Sequence, residues 1–159
     1  MAERTDRLDT AALLKMLGPF LLIIAAVWLL RLLLAEVDAV PRGLLRFLSV
    51  SAVTPLCVVV AASIIHFRRL GGFTAVVITA FVLVAWAEIL VSLAVLATWV
   101  TGWVNVYSHP RFSPKPSVDY WRHILGHLTF GIGFGALFGG LIGGVVLVLL
   151  RWIAPISRE

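Results

Sequence analysis

The chain has 159 residues, 61% of them hydrophobic and 13% charged, with a mean hydropathy of +1.05 and a net charge of +5. Ordinary soluble domains run near 45–50% apolar and about 25% charged. So much apolar surface excludes disorder and exceeds what so short a chain can hide from water, which leaves an integral membrane protein.

The fold class expected is all-α, with four transmembrane helices forming a single domain over 1–159. The first helix is predicted over about 16–35, with Pro19 in its first turn, where a missing N–H does little harm. Arg4, Arg7 and Lys15 ahead of the apolar run 16–30 resemble the flank of a secretory leader. The run resumes after Arg31 as Leu32-Leu33-Leu34-Ala35, however, and Glu3, Asp6 and Asp9 do not suit a basic leader, so it reads as a retained helix. A second helix over about 47–67 carries Pro55 well inside it, which predicts a kink. Residues 36–46 between these helices form a polar turn broken by Pro41. After a tight basic turn over 66–72, with Arg68, Arg69 and the Gly71-Gly72 pair, the third helix covers 73–101 and is apolar apart from Glu88. The fourth covers 124–153. The last two exceed the roughly 20 residues a bilayer needs and are expected to tilt or protrude.

The long loop, 102–121, is stiffened by Pro110, Pro114 and Pro116, and Ser117 is the expected N-cap of the fourth helix with Asp119 in its first turn. Trp99, Trp103 and Tyr107 before it, and Tyr120 and Trp121 after it, match an interfacial aromatic belt; a docking surface is the alternative. Basic residues near helix ends set sidedness. Arg4, Arg7, Lys15, Arg68, Arg69, Arg151 and Arg158 fall on one side, against Arg42, Arg46, Arg111, Lys115 and Arg122 on the other. This places both termini in the cytoplasm, and with no eukaryotic sorting signal the default location is a bacterial inner membrane. Because the basic residues lie between apolar runs, the expected partners are the lipid bilayer and other membrane subunits or further copies of the chain, not nucleic acid. The lone cysteine, Cys57, reads as a small buried hydrophobe.

Three features stand out from the apolar background. Gly131, Gly135, Gly139 and Gly143 recur every four residues, with Ala136, Gly140 and Gly144 in a second row. Glycine lets helix backbones approach closely, and in lipid that packing is what draws helices together. The face is expected to meet this protein's own bundle, a second copy or another subunit, or a flat lipid, quinone or pigment. Arg31 and Glu88 are the intramembrane charges. Each lies 15 residues from the predicted start of its helix, about 22 Å at 1.5 Å per residue, so they are expected to form an ion pair at one depth. Finally, His123 and His127 share a helix face at i,i+4, and with Asp119 and His109 form a weak metal- or cofactor-ligand set.

No nucleophile triad, phosphate-binding loop or carboxylate pair is present, and Gly131, Gly133 and Gly135 follow no strand, so no enzyme and no required cofactor are expected. Three functions follow in descending order. The first is an accessory or scaffold subunit using the glycine face. The second is an ion- or proton-coupled transporter or channel using Glu88. The third is a redox or pigment subunit using His123 or His127.

Overall fold

A computed structural model describes residues 10–36, 47–109 and 119–155. Among these residues every regular element is helical, and four helices are long and apolar enough to cross a membrane. They are α1 (Thr10–Glu36), α2 (Val50–Arg68), α3 (Phe73–Thr101) and α4 (Tyr120–Ile153). The charges behind the expected sidedness lie largely outside the described residues, namely Arg4, Arg7, Arg42, Arg46, Arg111, Lys115 and Arg158. So do Ser117 and the three prolines of the long loop.

Helix α1 starts six residues before its first long apolar run. Leu13, Met16, Leu17, Phe20 and Ile24, at helical spacing, form one buried face, and that packing draws the earlier residues into the helix. Pro19 is therefore inside α1, not in its first turn, and denies the Lys15 carbonyl its usual donor. Helix α2 begins at Val50, where the Ser49 hydroxyl accepts from the Ala52 N–H at 3.2 Å. It ends with Arg69 in the left-handed region (φ 54°): the Arg69 N–H donates to the His66 carbonyl and the Leu70 N–H to the Ile65 carbonyl. This is a Schellman turn with buried Leu70 as its apolar plug, so α2 stops before the Gly71-Gly72 pair. Gly102 ends α3 in the left-handed conformation that glycine adopts without penalty.

Odd helices run one way and even helices the other. The Trp86 indole N–H donates to the Leu21 carbonyl at 3.0 Å, setting the register of α1 on α3. The His66 Nε2–H donates to the Ala154 carbonyl at 2.9 Å, holding the last turns of α2 and α4 together, and Arg151 lies over the Phe73 ring at the same end. The core runs along α3, where Val76, Ala80 and Leu83 meet Val58, Ala61 and Ile65 of α2. Large apolar side chains also point outward, including Leu22, Phe134, Leu141 and Trp152, the last 81% exposed. Soluble monomers rarely show apolar patches beyond a few hundred Å².

Candidate functional site

The glycine row of α4 is spent inside the bundle. A methyl group placed on Gly131 would lie 2.7 Å from Glu88 Oε2, on Gly135 2.6 Å from Val84 Cγ1, on Gly139 3.2 Å from Ala80 Cβ, and on Gly143 2.6 Å from Val76 Cγ1. Steps of four along α4 thus match steps of four, in the opposite direction, along α3. Gly140 and Gly144 face Val77 and Phe73 of the same helix at ordinary contact distance. Gly139 and Gly143 are buried, and Gly131, Gly135, Gly140 and Gly144 are half-buried.

The ladder carries α4 close enough for its first turns to reach Glu88. His127 Nδ1 lies 2.5 Å from Glu88 Oε2, and His127 Nε2 lies 3.0 Å from His123 Nε2, with the two imidazoles stacked at 4.9 Å. Glu88 and His127 are each about three-quarters buried. At this point α4 takes one π-helical turn, His127–Gly131, in which the Ile132 N–H donates to the His127 carbonyl five residues back. The Thr129 hydroxyl supports it by donating to the Leu125 carbonyl at 2.7 Å. Such single π turns inside α-helices occur frequently at functional sites.

The expected Arg31–Glu88 pair does not form. The Trp86–Leu21 bond places Arg31 about eight residues beyond Glu88 along the bundle, about 12 Å at 1.5 Å per residue. Counting from residue 16, when α1 begins at Thr10, had put the two charges at one depth. The Arg31 guanidinium instead lies over the Tyr107 ring, 5.2 Å from its centre, and Trp28 stacks on the same ring. Tyr107 is therefore not part of an exposed belt, whereas Trp99, Trp103 and Trp121 are exposed and Tyr120 is half-buried. Burial pushes the Tyr107 phenol up to about 12, against the opposing pull of Arg31.

Tyr107 is held by a polar knot that the sequence reading missed. Asn105 is 1% exposed, and its amide donates to the Ala94 carbonyl (2.7 Å) and to the Thr98 hydroxyl (2.9 Å). Its side-chain oxygen accepts from the Tyr107 N–H, and Ser108 completes the set at 2.7 Å from the Thr98 hydroxyl. An Asn two residues before the N–H it captures is Asx-turn chemistry, the one local signal available.

The metal set does not assemble either. Asp119 is the N-cap of α4, accepting from the Arg122 N–H and pairing with the Arg122 guanidinium at 3.0 Å. The His109 N–H closes a turn onto the Asn105 carbonyl. Among the described residues no three His, Cys, Asp or Glu side chains converge as a metal would require.

Beside Glu88 a cavity of about 170 Å³ opens between α2, α3 and α4. Ser51, Thr54 and Pro55 form its α2 wall. Pro55 has no N–H to offer the Ser51 carbonyl, and the buried Thr54 hydroxyl has no hydrogen-bond partner among the described residues. Apart from Glu88, the walls from α3 and α4 are apolar, with Val84, Phe138 and Ile142 among them. Compared with known proteins, the chain matches no family model, no curated protein and no solved structure.

Proposed function

We propose that this chain is a multi-pass membrane protein that moves protons, as a small transporter or channel, through Glu88, His127 and His123. The observation that carries the reading is the hydrogen-bonded chain of those three residues at the π turn of α4. The four long apolar helices and their apolar outward faces support lipid as the surrounding medium.

An isolated carboxylate in apolar surroundings is costly, and so is an isolated imidazolium. Joined across a short hydrogen bond, the two hold one proton at no net charge, whether it sits on Glu88 or on His127. His127 reaches Glu88 with one ring nitrogen and His123 with the other, so it can accept a proton on one side and release one on the other. His123, in the first turns of α4, delivers it to the end of the bundle where Trp121 and Arg122 are exposed. Intramembrane ionisable residues serve characteristically as proton relays. The glycine face contacts α2 and α3 of the same chain, so we rank the scaffold role expected from it second to the relay.

The test is proton flux. Purified protein is reconstituted into liposomes holding a pH-sensitive dye, and a potassium diffusion potential drives protons inward. Wild type passes protons faster than protein-free vesicles, and Glu88→Gln and His127→Gln each lower the rate at least about ten-fold, the scale of losing a positioned proton-transfer group. A wild-type rate equal to that of empty vesicles, or one unchanged in Glu88→Gln, refutes the reading.

A further inference from the structure

We propose that the cavity beside Glu88 binds a small primary ammonium ion carrying an apolar group, which enters in exchange for a proton. The inference rests on the proton-relay reading and names what the relay serves.

Size sets the first limit. An apolar cavity of about 150 Å³ admits benzene, and this one measures about 170 Å³. The guest is then on the scale of six to eight non-hydrogen atoms. Val58, Val84, Phe138 and Ile142 present hydrocarbon to it. Phe138 is 61% exposed on the outer surface, so a guest dissolved in lipid can enter from the side.

The polar groups set the charge. Each can accept: the Glu88 carboxylate, the Thr54 hydroxyl, and Ser51, which lines the cavity and whose carbonyl lacks the usual donor at Pro55. Among the described residues no lysine or arginine lines the cavity. A primary ammonium has three N–H donors for these three acceptors, and at pH 7 an alkylamine carries its proton as lysine does. A neutral guest of the same shape, such as an alcohol, offers one donor to these three acceptors and no charge to replace the proton of the Glu88–His127 pair, a mismatch that a polar site discriminates against.

The charge balance then requires exchange. With the cavity unliganded, the Glu88–His127 pair holds one proton and is neutral. When the ammonium ion binds, Glu88 becomes its carboxylate partner, His127 is left neutral, and one proton leaves through His123. The site is neutral before and after, with one cation in and one proton out. Among the described residues no other titratable group competes at this level. On α3 Glu88 is the only one, on α4 the nearest are His127 and His123, and on α2 they are Cys57, buried in the core, and His66 at the far end. Arg31 of α1 is about 12 Å further along.

The test is calorimetry of benzylamine and its neutral counterpart, benzyl alcohol, binding to the purified protein in detergent micelles. Titration in two buffers of different ionisation enthalpy counts the protons released. Benzylamine is expected to bind at least ten-fold tighter than benzyl alcohol and to release close to one proton per molecule. Thr54→Val, which keeps the shape and removes the hydroxyl, should weaken benzylamine about five-fold, and Glu88→Gln should weaken it more than ten-fold. Absence of benzylamine binding, equal binding of benzyl alcohol, or full affinity in Glu88→Gln overturns the cation site. If protons flow in liposomes but benzylamine does not bind, the relay stands and the cation site falls. Binding without proton release overturns the exchange.

Discussion

Adding one methyl group at successive glycines of α4 tests how closely that helix lies on α3. At Gly133 nothing lies within 4 Å of the added carbon, so Gly133→Ala keeps the full gain in helix propensity, at most about 1 kcal/mol. At Gly143 the same carbon meets Val76 Cγ1 at 2.6 Å and Val58 Cγ1 at 3.1 Å, and both valines are 1% exposed. Valine in a helix has one strongly preferred rotamer, so neither can turn aside freely. Overpacking of this kind costs about 1–3 kcal/mol, so after a propensity gain of about 1 kcal/mol Gly143→Ala should lose up to about 2 kcal/mol and fall about 1–3 kcal/mol below Gly133→Ala. Gly135→Ala meets Val84 first, at 2.6 Å, and Val84 borders the cavity beside Glu88, so its methyl has somewhere to go. Gly139→Ala meets the Ala80 Cβ at 3.2 Å, which the helices can relieve by parting a few tenths of an ångström. Both should fall between the extremes. Equilibrium unfolding in mixed micelles, followed by tryptophan fluorescence, ranks the four. If Gly143→Ala proves as stable as Gly133→Ala, the close approach of α4 to α3 is refuted.

Four further outcomes follow. Gly131→Ala puts a methyl 2.7 Å from Glu88 Oε2 and should cut proton flux several-fold by moving the carboxylate off His127, although no titratable group is changed; undiminished flux would show that this contact is not needed. Arg31→Gln should leave the flux within about two-fold of wild type, because Arg31 sits about 12 Å along the bundle from Glu88. Asn105→Ala strips a buried knot of its centre and should destabilise by about 2–4 kcal/mol, with loss of protection from exchange at the Tyr107 amide as the local readout. Tyr107 titrates in the folded protein at about 12 rather than near 10, so the unfolded chain loses this proton first as pH rises. Its contribution is therefore intact below pH 10 and declines between pH 10 and 12, by about 2–3 kcal/mol in all. Tyr107→Phe keeps the ring under Arg31 and should flatten that decline in an unfolding series against pH.

The helices themselves were legible because each rests on a local property. An apolar run long enough to span about 30 Å of hydrocarbon is visible in composition alone, and the run over 73–101 matched α3 at both ends. Boundaries drifted where a contact from elsewhere extended or trimmed the helix. Leu13 packing into the core lengthened α1, the Ser49 cap moved the start of α2, and the Asp119 cap opened α4 at Tyr120. Glu88 was also legible, as a lone carboxylate in an apolar run, and so were His123 and His127 as residues on one face.

What pairs with what was not legible, because it depends on how far one helix slides along another and how each is rotated. A register set by Trp86 on Leu21 takes Arg31 away from Glu88. Glycines in steps of four bring α4 against α3, and one π turn places His127 on the carboxylate. The sequence by itself determined four apolar helices, one buried acid and one face of glycines. Only the tertiary structure decided that the glycines face inward and that the acid's partner is a histidine 39 residues away. Composition and periodicity are properties of a segment, whereas register is a property of a pair of segments and is chosen by the packing of both.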